Sequence, residues 1–110
     1  WVEFDWIETV FFGRPEEGRT PWDDEEDPDA EMTAGLHTPL STLLTQYEEQ
    51  CERFNSVFAE HDLDEFAKHT RPNREPVTLR WIILHLIEET SRHNGHIDII
   101  RELLDGRTGR

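Results

Sequence analysis

The chain has 110 residues, enough for one small domain, and its 25 acidic and 11 basic side chains give a formal net charge of -14 at pH 7. That charge repels nucleic acid and anionic membrane surfaces, so neither is an expected partner. The longest apolar run, "WIILHLI", is far short of the about 20 residues that cross a bilayer, and the single cysteine excludes an internal disulfide and fits a reducing compartment, so a cytoplasmic location is expected.

The opening stretch "WVEFDWIETVFFG" reads as a helix. Val2, Trp6 and Val10, with Ile7 and Phe11, have helical spacing, while Trp1, Phe4 (or Asp5) and Glu8 share another face. Gly13 and Pro15 stop it. The pattern is already under way at Trp1, so the helix is expected to begin near or before that residue.

From Arg14 to Thr38 prolines, glycines and like charges oppose any long helix or strand, and a long acidic loop is expected. Such loops are either solvated or act as lids. As a lid, this one would be held down by Trp22 and Met32.

The clearest helix follows, with Leu40, Leu43, Leu44, Tyr47, Cys51, Phe54, Val57 and Phe58 repeating at three and four. Glu48, Glu49, Glu52 and Arg53 fill its other side. Thr38 reads as the N-cap and Pro39 as the first helical residue. Cys51 on the apolar face reads as a small hydrophobe, not a nucleophile. A connector, "DLDEFAKHTRPNREP", comes next, with Leu63 and Phe66 expected to pack it down.

The last helix, "VTLRWIILHLIEETSRHNGHIDIIRELLDG", is capped by Thr78, stapled by Val77 and Ile82, and stopped by Gly106. No internal repeat or strand-like alternation occurs, so the fold class is all-α. On this helix Ile82, Leu86, Ile97, Ile100 and Leu104 form one stripe. Glu89 and His93 interrupt it, with His85 and His96 on its flank, which predicts that the polar pair faces the core. A Glu and a His one turn apart can hold one cation. The same spacing suits a buried hydrogen-bonded pair, and spacing alone leaves both open. The order is not that of a zinc protease. Gly95, costly in mid-helix, predicts a close backbone approach by a neighbouring helix.

The last segment resembles the C-terminal signature of the DinB-like superfamily, and within it the actinobacterial mini-circle protein branch. Val2, Glu3 and Trp6 are similar to that family's second helix, and "PW" with "DPDAE" to its central loop. The resemblance covers the chain as a single DinB-like helical domain, residues 1–110. It implies an up-and-down bundle of four helices, about three of them represented here, often assembled as a homodimer. The family's first helix and the start of its second would lie upstream of Trp1.

The resemblance also implies a divalent metal, commonly zinc or nickel, bound by two residues four apart on the last helix. Those positions are Glu89 and His93 here, with His96 beside the site and His85 a further polar neighbour. The family's third ligand, a histidine, would fall just upstream of Trp1. Some members are transferases or isomerases that use a low-molecular-weight thiol, mycothiol or bacillithiol, whose thiolate the metal would generate. Three readings follow: a metal- and thiol-dependent S-transferase or isomerase acting on a small molecule, a non-catalytic metal-binding or structural dimer module, or a helical piece whose core another chain completes.

Overall fold

The structure, a computed structural model, describes residues 1–14, 27 and 29–109. The chain falls into two compact units, Trp1–Leu79 and Arg80–Arg110. Among the described residues the all-α expectation holds. Four α-helices form, and extended backbone pairs only in an isolated bridge between Phe66 and Thr78.

The first unit opens with α1, Val2–Phe4, which runs directly into a π-helical segment, Asp5–Phe11. The helical reading is right, but its 3.6-residue wheel fails from Asp5 onward. Phe12 N donates to Ile7 O at 2.9 Å, a bond spanning five residues. The buried side of this segment carries Ile7, Val10 and Phe11 and one carboxylate, Glu8.

Gly13, at φ +66°, turns the chain away in the left-handed conformation that glycine adopts without penalty. A helix end leaves carbonyls without partners. Here later chain supplies them: Lys68 N donates to Phe11 O at 2.9 Å and His69 N to Val10 O at 3.0 Å.

The expected loop between Arg14 and Thr38 carries α2, Ala30–His37, an eight-residue helix with no buried residue. Ala, Glu, Met and Leu in this stretch favour helix strongly enough to form two turns after the last proline of the acidic run. Met32 is exposed, so it anchors nothing among the described residues, and Trp22 lies outside them. Thr38 does not cap the next helix. Its hydroxyl donates back to Ala34 O at 2.8 Å, and Pro39 takes the capping position of α3, Leu40–Glu60.

α3 turns most of its expected apolar face inward: Phe54 is buried and Leu43, Cys51, Val57 and Phe58 are half-buried, while Leu40, Leu44 and Tyr47 at the edge of that face are exposed. Its contacts with the first helical stretch are Gln50 Nε2 to Glu3 Oε2 at 3.2 Å, Arg53 to Glu8, and the rings of Phe4 and Phe54, 6.1 Å apart.

Leu63 and Phe66 are exposed too, so they do not pack the connector down. Its backbone does that work. Ala67 N donates to Val77 O and Leu79 N to Glu65 O, both at 2.9 Å. His61 is the side-chain anchor, edge-on to Phe11 at 5.2 Å and 2.8 Å from Glu65 Oε2 through Nδ1.

α4, Leu79–Asp105, supplies most of the second unit. It starts directly after Thr78 and ends at Gly106, at φ +71°, whose N–H reaches Glu102 O at 2.8 Å. Ile82 and Leu86 are buried, while Ile97, Ile100 and Leu104 of the same stripe are exposed. Gly95 does not mark a close approach: a Cβ there would meet nothing within 4 Å among the described residues.

Candidate functional site

α4 presents His85, Glu89 and His93 on successive turns. Glu89 is the most shielded, its side chain 17% exposed. Its Oε1 lies 3.9 Å from His85 Nε2 and its Oε2 lies 3.7 Å from His93 Nε2. Arg92 binds the same Oε2 directly. His85 stacks on Trp81 with ring centroids 5.0 Å apart, and its Nδ1 lies 3.9 Å from Glu88 Oε2. His96 is exposed and edge-on to His93 at 6.0 Å.

The expected core-facing pair is half met. Glu89 lies in the shielded part of the helix, whereas the side chain of His93 is 60% exposed. Shielding ends with Glu89, because every residue from Thr90 to Ile100 is exposed.

In donor chemistry the Glu89–His93 pair suits a divalent ion; in number it falls short. A protein site normally takes three or four protein ligands. His85 and His93 stand about 12 Å apart along the helix axis, too far to share one ion. Among the described residues no group of three His, Cys, Asp or Glu side chains could hold a metal.

A second polar arrangement occupies the first unit. Glu8 is fully buried, with Arg53 bonded to its Oε1 and Arg14 Nη1 3.5 Å from its Oε2. A carboxylate taken out of water is tolerated only with such partners. Arg53 stays 51% exposed, its guanidinium carbon 5.4 Å from the Phe4 ring centre and 5.7 Å from that of Phe54. It forms one wall of a cleft of about 460 Å³ between α1 and α3, where Trp1, Phe4 and Tyr47 supply rings and Gln46, Glu49 and Gln50 supply polar groups. A hydrogen bond to Cys51, helped by the negative charge of Glu3, raises the Tyr47 phenol above its ordinary pKa of 10.0.

Sequence reasoning misses Glu8 and Arg53 for one reason. Each looks like a solvated charge on a 3.6-residue wheel, and they are 45 positions apart. The signal available was a single acidic residue, Glu8, bracketed by Ile7, Val10 and Phe11.

No curated protein and no solved structure matches the chain. The mycothiol-S-transferase family matches residues 1–106, nearly the whole sequence. With its helical build and the polar centre of its last helix, the chain therefore belongs to the mycothiol-S-transferase family, and the DinB-like assignment drawn from that helix holds.

Proposed function

We propose that this protein is a cytoplasmic, thiol-dependent S-transferase or isomerase that acts on a small electrophile with a mycothiol-type cosubstrate and a divalent metal, zinc or nickel. The match to the mycothiol-S-transferase family over residues 1–106 carries the reading. No helix among the described residues is long and apolar enough to cross a membrane, which agrees with it.

Glu89 and His93 are the proposed metal ligands on this chain, and at least one further protein donor is needed from outside the described residues. Arg92 orients the Glu89 carboxylate, His85 Nε2 stands 3.9 Å from its other oxygen, and His96 stands beside His93. Bound there, a divalent ion would lower a thiol's pKa and supply the thiolate nucleophile at neutral pH. Glu89 contributes one negative charge, so a doubly charged ion would keep a net positive site that attracts a thiolate.

The test is metal content by mass spectrometry, with consumption of mycothiol by an electrophile in the presence and absence of zinc or nickel. Metal-dependent consumption, lost in His93→Ala with helicity retained, supports the enzyme. Stoichiometric metal without thiol consumption leaves the second reading, a non-catalytic metal-binding or structural dimer module. The exposed His93 and the uncovered Ile97–Leu104 stripe favour that alternative.

A further inference from the structure

One spacing runs through both the covered and the uncovered half of α4. Ile82, Leu86 and Glu89 follow each other at four and three, and His93, His96, Ile100 and Leu103 continue the same alternation. Residues repeating in this way line a single seam, the one along which two helices wind around each other. The first half of the seam is covered, with Ile82 and Leu86 buried. From His93 onward all four seam residues are exposed, and Ile97, Ile99 and Leu104 beside them are exposed too.

Charge is kept off this half of the seam. Asp98, Arg101, Glu102 and Asp105 fall on the opposite side of the helix, where Arg101 bonds to Asp98 at 3.0 Å. A second α4 laid alongside in the same direction therefore meets apolar side chains instead of like charge. In such a two-fold pairing each seam residue faces its own counterpart. His93 and His96, whose rings lie 6.0 Å apart within one copy, then form two adjacent layers holding four imidazoles.

Those layers call for a metal ion. Covering four imidazoles with apolar neighbours leaves ring nitrogens without partners, which is costly unless something binds them. One chain is short of donors, since among its described residues no group of three could hold an ion, and Glu89 is already bonded to Arg92. Two chains supply four neutral nitrogens, the number that a closed tetrahedral zinc site takes. The seam from His93 to Leu103 is also only about 15 Å long, about three turns, which is short for two helices to hold by apolar contact alone.

We propose that two copies of the chain join along the exposed half of α4 and hold one divalent ion between them, with His93 and His96 of each copy as donors and Glu89 one turn behind. The role of His93 rests on the metal-site reading above; the second copy is the source of the donors that one chain lacks.

The test adds zinc chloride to the whole chain, with calorimetry for stoichiometry and sedimentation velocity for mass. One zinc per two chains is expected. With zinc the dimer should survive at least about tenfold further dilution than with a chelator. Ile100→Glu removes no ligand, yet by parting the copies it should weaken zinc binding about tenfold or more. His96→Ala should weaken it similarly while leaving the apolar residues in place. Both positions are exposed, so circular dichroism should be unchanged in each variant. One zinc per chain, bound equally by Ile100→Glu, overturns the shared site and leaves the single-chain site at Glu89 and His93 standing. A dimer that zinc does not tighten, or zinc bound equally by His96→Ala, also overturns the shared site. No zinc binding at all overturns both sites. No thiol enters either measurement, so transfer activity is judged separately.

Discussion

Removing Arg53 strands the Glu8 carboxylate in the interior, whereas removing Glu8 leaves Arg53 free to turn into water. The two halves of the pair are therefore unequal. Arg53→Met should destabilise the chain by about 3 kcal/mol, the low end for an orphaned buried charge because Arg14 remains 3.5 Å away. Glu8→Met, which keeps an apolar volume in an apolar surround, should cost less than about 1.5 kcal/mol. Urea midpoints give the comparison, and the double variant should be more stable than Arg53→Met alone. Equal losses would place Glu8 in water. Tyr47 gives a second residue-scale check. It is the only tyrosine, so its ionisation can be followed by ultraviolet absorbance without overlap. The raised pKa means that the fold favours the protonated phenol. Its contribution is thus complete below the ordinary pKa of 10.0 and disappears as pH rises through the folded value. Cys51→Ala removes the larger cause and should lower the titration midpoint toward the ordinary value. A midpoint unmoved by that change would locate the cause in Glu3.

Two glycines, Gly13 just past the first helical stretch and Gly95 within α4, should respond to alanine with opposite signs. At Gly13 the left-handed φ opposes any Cβ, and the nearest neighbour, Lys68 Cβ, would lie 3.1 Å from it. Gly13→Ala should cost about 1–2 kcal/mol. At Gly95 the helix is regular and the space open, so Gly95→Ala should stabilise by about 1 kcal/mol. Thermal unfolding of both variants checks the pair, and destabilisation by Gly95→Ala would mean that something does approach this face. α4 is legible in the sequence because its signals are local: Thr78 before it, Gly106 after it, and a long period between. α3 is legible in extent and, from Leu43, Cys51, Phe54, Val57 and Phe58, largely in orientation; what its spacing does not show is that Gln50 and Arg53 beside that face bond to Glu3 and Glu8 of the first helical stretch. The π-helical segment is illegible for a physical reason. A wheel drawn at 3.6 residues per turn cannot show a turn that closes over five.

For the molecule as a whole, charge and apolar surface are unevenly shared. The net charge is -14, yet around the end of α4 Arg101 and Arg107 offset two of the three charges of Asp98, Glu102 and Asp105. The exposed stripe of Ile97, Ile100 and Leu104 lies in that nearly balanced region. A second copy can therefore approach here without facing the repulsion found elsewhere, and each apolar side chain covered would contribute about 1.5–3 kcal/mol. The proposed homodimer should form through this stripe. Sedimentation velocity at micromolar concentration should show a dimer, and Ile100→Glu should return it to monomer. A monomeric parent chain would end that assignment. The site itself is legible only in part. Glu89 and His93 stand out because they interrupt the apolar stripe of α4, and only the resemblance favours a ligand role over a hydrogen-bonded pair; the 60% exposure of the His93 side chain is something no spacing rule reports. The connector's backbone bonds have a further consequence, for proteolysis. A protease must draw several residues of extended chain into its own cleft before it can cut. Lys68 is exposed, but its amide and those of Ala67 and His69 are tied to Phe11, Val77 and Val10. Arg74 lies just beyond these ties, its backbone N–H reaching no further than Arg71 O one turn back, while Arg71 itself is held by its side chain on Asp5. In brief trypsin digestion the connector should be cut after Arg74 well before Lys68, the Arg71–Pro72 bond being no trypsin site. Gly13→Ala, by disturbing the chain against Lys68, should make that protected bond the next to open.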